Sequence, residues 1–137
     1  MNIENLKLMQ TMLGEVTAGT WVASEGATYY SQPLDGKVQF NLRSWFDDMT
    51  DGCGYSACAI GHAVMDDRFI KLGWSLDVFA PRYMNPVNGT HLTGWDAVET
   101  FFGIEQLTAQ YLFMERRYLY KSIEPVKTTP AMVNARI

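Results

Sequence analysis

Asp51-Gly52-Cys53-Gly54-Tyr55-Ser56-Ala57-Cys58-Ala59-Ile60-Gly61-His62-Ala63 is the stretch on which the reading of this chain turns. It holds both cysteines, one of the two histidines and three of the eleven glycines, and nearly all its other residues are small. If a helix begins near Tyr55 or Ser56, Cys58 and His62 stand four residues apart on one face, and Cys53 lies just before the first turn. Three readings compete. A metal site would use Cys53, Cys58 and His62, with His91 or a carboxylate of the 47–51 loop as fourth ligand. The C-x4-C spacing and the lack of a second pair count against it. A nucleophile site would make Cys53 or Cys58 the thiolate, His62 or His91 the base, and Asp47, Asp48 or Asp51 the orienting group. Those same carboxylates disfavour a thiolate. The third reading is close packing. Ala57, Cys58, Ala59, Gly61 and Ala63 let another element approach the backbone, and a free Cys behaves as a small hydrophobe. It is the most economical of the three.

The rest of the chain sets the frame. At 137 residues it is expected to be one domain over 1–137, with a loosely packed tail from about 122. Hydrophobic residues make up 47% and charged residues 19%, which is a globular rather than a disordered balance. With 11 basic and 15 acidic residues the net charge is −4, and no Lys/Arg run is present to follow a phosphate backbone, which argues against nucleic acid. No stretch approaches the ~18 apolar residues of a membrane span. No basic region leads into an apolar run at the N-terminus, so the expected compartment is the cytoplasm, with reduced cysteines.

Outward from the centre, residues 2–17 carry Ile3, Leu6, Met9, Leu13 and Val16 at helical spacing, with Asn2 or Asn5 as cap and Ala18-Gly19 as stop. Residues 20–46 change character. Trp21-Val22-Ala23 and Ala27-Thr28-Tyr29-Tyr30 are aromatic and β-branched, Pro33-Leu34-Asp35-Gly36 is a turn, and 37–42 alternates as a half-buried strand does. The acidic loop 47–52 lacks the spacing of a calcium loop. Residues 64–72 read as helical up to Gly73, and 74–93 as a long connection carrying Pro81, Asn85-Pro86 and Asn88-Gly89. The Asn88-Gly89-Thr90 sequon is read as a turn. Thr93 caps a helix over 94–102 that Gly103 ends, a helical pattern runs over 104–119, and Thr129-Pro130 starts a last short helix. The expected fold is α+β, with four to five helices packed on a small antiparallel sheet from about residues 20–45.

The central stretch resembles a group of small phage and bacterial proteins. Phe40-Asn41-Leu42 with Trp45, followed by residues 53–63, is similar to their pattern "F-D/N-M/L-x-x-W … C-G-T-x-A-C-I-A-G-H/W-A". Ala97-Val98, Phe101-Phe102-Gly103-Ile104, Leu112-Phe113 and the Thr129-Pro130 … Val133 … Arg136-Ile137 ending extend the likeness. Tyr55 stands where the pattern has Thr, and Ile60 where it has Ala. The resemblance implies a phage-type source, and its Trp at the His62 position weakens that histidine as ligand or base.

Together these features lead to the expectation of a phage-type accessory protein that binds a host protein in the bacterial cytoplasm, such as an inhibitor of a defence system, without cofactor. Tyr29, Tyr30, Trp74 and Tyr83 are the candidate contact residues, because Tyr and Trp on exposed loops make strong anchors. The alternatives are a cysteine-dependent enzyme using Cys53 or Cys58 and a nucleotide-type ligand site under residues 74–93. Gly52-x-Gly54 lacks the third glycine of a phosphate-binding fingerprint.

Overall fold

The computed structural model describes residues 1–25, 28–29, 32–33, 38–40, 45–48, 55–77, 80–114 and 129–137; for 28–29, 32–33, 46–48 and 55–56 this covers the backbone alone. The fold is α+β. Helix α1, Ile3–Ala18, obeys its local signals: the Asn2 side chain accepts from the Asn5 N–H at 3.1 Å, and Gly19 ends it in the left-handed conformation. Its buried face is Leu6, Met9, Met12 and Leu13. Helix α4, Gly94–Phe102, buries Ala97, Val98, Phe101 and Phe102 and stops at Gly103, again left-handed. The two helices are tied end to end. The Asn2 N–H donates to the Phe102 carbonyl at 2.7 Å, and Asn5 Nδ2 to that of Phe101 at 2.8 Å. Helix α5, Gln106–Phe113, follows and packs on α4. Helix α6, Pro130–Asn134, is capped by Thr129 and sets Val133, fully buried, against α1. Of the expected loosely packed tail from about 122, residues 122–128 lie outside the described residues, and 129–137 carry α6, whose Val133 is buried against α1.

A small antiparallel sheet is present, but the strands depart from expectation in place and, at one pairing, in direction. Strands β1, Thr28–Tyr29, and β2, Gln32–Pro33, do form an antiparallel pair. Strand β3, Val38–Phe40, instead pairs parallel with β5, Tyr55–Ala57, whose other edge takes β4, Phe46–Asp48, antiparallel. So residues 55–57 form a strand where a helix start was expected. Helix α2 is only Ala59–Ala63, with Cys58 as its N-cap, and α3, Asp67–Ile70, follows.

Residues 74–93, expected as a connection, form a three-stranded antiparallel sheet: β6, Trp74–Leu76; β7, Pro81–Met84; β8, His91–Thr93. Trp74 faces Tyr83, which faces Leu92, and the alternate row Ser75, Arg82, Thr93 points outward. The Asn88-Gly89 turn is where the sequence placed it; Asn85 N–H donates to the Thr90 carbonyl at 2.9 Å. Trp74 and Tyr83 are 2% and 8% exposed. The expectation that they anchor a partner is therefore corrected: their rings lie 5.1 and 5.2 Å from Phe101, in a cluster with Phe69 and Phe102. The side chain of Tyr29, and Tyr30 altogether, lie outside the described residues. Among the described residues no helix is long and apolar enough to cross a membrane.

Candidate functional site

The chemistry of the central stretch is decided by what touches Cys58 and His62. Cys58 is extended and immediately precedes α2, so its Sγ accepts from the Gly61 N–H at 3.4 Å, where a serine hydroxyl often serves. Its thiol is directed at the Trp45 carbonyl, 3.9 Å away. Burial pushes the thiol up to about 11, although the Gly61 and Ile60 amides act the other way. A group so placed is a thiol at neutral pH, not a nucleophile.

His62 is fully buried and makes a local hydrogen bond. Its Nδ1 lies 2.9 Å from the Cys58 carbonyl, which also accepts the His62 backbone N–H. A carbonyl cannot donate, so Nδ1 carries the hydrogen. That leaves Nε2 with no hydrogen-bond partner among the described residues. Burial lowers the ring's pKa below the usual histidine value, outweighing the backbone carbonyls of Cys58, Val38 and Ala57 that favour the charged form. The neutral ring is enclosed by Trp21, edge-on at 4.7 Å, and Phe40 at 5.7 Å.

No bond therefore joins the imidazole to the sulfur. His91 is exposed on β8, where its Nδ1 accepts from Arg82 Nε and Nη2 at 3.2 and 2.9 Å. Among the described residues no group of three His, Cys, Asp or Glu side chains is placed to hold a metal ion. Cys53 and Asp51 lie outside them, and of Asp47 and Asp48 the backbone alone is described. The structure thus supports close packing at Cys58 and His62.

This yields a measurable expectation. In the native protein, Cys58 should react with iodoacetamide at pH 7.5 at least about a hundredfold more slowly than after denaturation, because its reaction requires opening. Reaction at the denatured rate would refute the burial. The pH dependence has a definite sign. A thiol raised from 9.0 to about 11 in the folded state is deprotonated first in the unfolded chain. Its contribution is complete below pH 9 and declines between 9 and 11, by up to about 2–3 kcal/mol. Urea midpoints measured over that interval in wild type and Cys58→Ala read it, with the variant showing the shallower alkaline decline.

The surface next to this core was not foreseen. After α1, the Thr20 and Trp21 amides donate back to the Glu15 carbonyl at 3.0 and 3.2 Å, and the Ser24 N–H reaches the Met65 carbonyl at 2.7 Å. The chain over 20–24 is thereby laid across the α2–α3 junction. There Trp21 Nε1 donates to Asp66 Oδ2 at 3.0 Å. Asp66 is the N-cap of α3, accepting the Arg68 N–H, and its side chain is 4% exposed. Arg68 grips it with Nε at 2.9 Å and Nη2 at 2.6 Å, and grips Glu15 with Nη1 at 3.0 Å and Nη2 at 2.7 Å. One guanidinium holds two carboxylates in fork geometry. Burial alone would raise the Asp66 carboxyl, but the Arg68 side-chain and backbone bonds, the indole bond and the Arg68 charge bring it below its usual value. The side-chain bonds to Asp66 and Glu15 push Arg68 further up.

Above this network lies a cleft of about 660 Å3, bounded by Glu15, Trp21, Val22, Glu25, Asp67 and Arg68. Val22 is 79% exposed on its rim. In the sequence, Asp66-Asp67-Arg68 is an Asx-type helix start, a signal for the cap but not for what Arg68 reaches. Comparison with protein-family models, with curated proteins and with solved structures found no match to this chain.

Proposed function

We propose that this protein acts by binding another protein, and that the cleft at Trp21 and Val22 is its contact surface. The observation that carries the reading is a concave surface of about 660 Å3 whose aromatic wall is held by hydrogen bonds before any partner arrives. Rigid aromatics with satisfied polar neighbours lose little entropy on association, and such residues dominate binding energy. An exposed valine beside a half-buried tryptophan supplies the apolar centre that an interface needs. The likeness of residues 53–63 to phage proteins supports a host protein as the partner, such as a component of a bacterial defence system.

The cysteine-enzyme alternative loses support at Cys58, whose thiol is buried and raised. The ligand-site alternative loses support at residues 74–93, where Trp74 and Tyr83 fill the inner face of a sheet.

The test is affinity capture from a bacterial lysate, with wild type compared with Val22→Arg. Val22 is so exposed that the arginine should leave the thermal midpoint unchanged. A specific protein held by wild type and reduced at least about tenfold by the variant is expected, that being ~1.4 kcal/mol of interface energy. Capture of no specific protein, or equal capture by both, would overturn the reading.

A further inference from the structure

We infer that the occupant of the cleft is an arginine side chain from a basic segment of the partner, seated on the Trp21 ring between the carboxylates; this rests on the cleft being the contact surface. Four carboxylates, Glu15, Glu25, Asp66 and Asp67, line the cleft against the single guanidinium of Arg68. Arg68 neutralises Glu15 and Asp66 only in part, and Lys71 reaches Asp67 from the neighbouring turn at 2.5 Å. Among the described residues Glu25 has no charged partner. An anionic ligand is repelled here and a cationic one drawn in, in a chain whose net charge is already −4.

The geometry favours arginine over lysine. The Trp21 indole is fixed through Nε1, and an indole face is the strongest of the aromatic acceptors for a cation. A planar guanidinium can stack on it while directing its edge hydrogens at a carboxylate; an ammonium cannot do both. Val22 gives the aliphatic stem an apolar rest. Arg68 itself has five N–H hydrogens, of which four are engaged with Asp66 and Glu15. The fifth, on Nη1, is left for a backbone carbonyl of the incoming segment.

The experiment is a titration of the full chain with acetyl-Gly-Arg-Gly-amide, followed by nuclear magnetic resonance at the Trp21 Nε1–H and the Val22 and Glu25 amides. Citrulline in place of arginine keeps the shape and removes the charge. Saturable shifts with the arginine peptide at a Kd on the order of 1–10 mM are expected, with lysine about threefold or more weaker and citrulline silent. Glu25→Gln should weaken the arginine peptide about threefold. No shift at about 20 mM peptide, or equal shifts with citrulline, would overturn the inference. The two proposals fail separately. If Val22→Arg abolishes capture but the arginine peptide is silent, the surface stands and this occupant is wrong. If the peptide binds and the lysate yields nothing, the cleft's preference stands and the protein-binding function falls.

Discussion

Gly61→Ala should destabilise the protein by more than about 3 kcal/mol, a large share of the ~5–15 kcal/mol that usually holds a domain folded. A Cβ at position 61 would lie 1.7 Å from the Trp45 carbonyl oxygen, 2.9 Å from its carbon and 2.8 Å from the Ala57 Cβ. None of these is a flexible tip. Two belong to backbone, and Ala57 sits in β5, paired on both sides. Relief therefore requires the chain at Trp45 to retreat by about 1.5 Å, since carbon and oxygen do not pack much closer than ~3.3 Å. That movement would pull the carbonyl away from the Cys58 thiol and disturb the Trp45 ring, packed at 4.7 Å on Trp95. The helix propensity gained in exchanging Gly for Ala is only about 1 kcal/mol. Gly14→Ala in α1 is the matched control. A Cβ there meets nothing within 4 Å, so the same chemical change should stabilise by about 0.5–1 kcal/mol. Urea unfolding of both variants checks the pair, and a Gly61→Ala protein as stable as Gly14→Ala would mean that the Trp45 carbonyl does not press on α2.

That contact also shows how far the sequence could be read. The run of small residues at 57–63 implied that some element comes close, and one does. Which element comes was not legible, because Trp45 reaches Gly61 through strand pairing that joins residues 38–40, 46–48 and 55–57. Helices α1, α4 and α6 were legible nearly to the residue, since the Asn2 and Thr129 side chains at two of their starts and Gly19 and Gly103 at two of their ends act within one turn, while Thr93 holds the N-cap position of α4 without a side-chain bond. Residues 74–93 were misread for the opposite reason. Strands of three or four residues give too few alternations to register, and Pro81 and Asn85-Pro86 speak for a loop. A tryptophan in a supposed loop looks available to a partner; the same tryptophan at the inner face of a sheet is core. The cleft was out of reach altogether. Arg68 finds Glu15 across 53 positions and Asp66 finds Trp21 across 45, and no local pattern announces either.

Removing Arg68 should be the second most damaging single change, at about 2–3 kcal/mol, and its pH dependence should identify the cause. The pair with Glu15 contributes little of this, because those side chains are 36% and 38% exposed and water screens them. The cost comes from Asp66, 4% exposed, whose carboxylate would stay buried with the Trp21 indole as its remaining side-chain donor. Arg68→Lys should recover less than half, since one ammonium cannot span both carboxylates in fork geometry. In wild type the folded Asp66 pKa lies below the unfolded value of 3.8, so its contribution is fully present above pH 3.8 and fades as the pH falls through the folded value. In Arg68→Ala, burial persists while the strongest lowering influence is gone. Against the Arg68 N–H and indole bonds that remain, burial, the largest influence, is expected to carry the folded pKa above its unfolded value, so that the sign reverses and acidification from neutral pH relieves the variant. The gap between the two urea midpoints should accordingly narrow from pH 7 to pH 4. Asp66→Asn combined with Arg68→Ala should regain part of the loss at pH 7, because an amide can be buried at far lower cost than an unpaired carboxylate. A deficit constant with pH and unrelieved by asparagine would place the damage in lost packing of the Arg68 stem, and the wall of the cleft would then owe its rigidity to something other than this charge network.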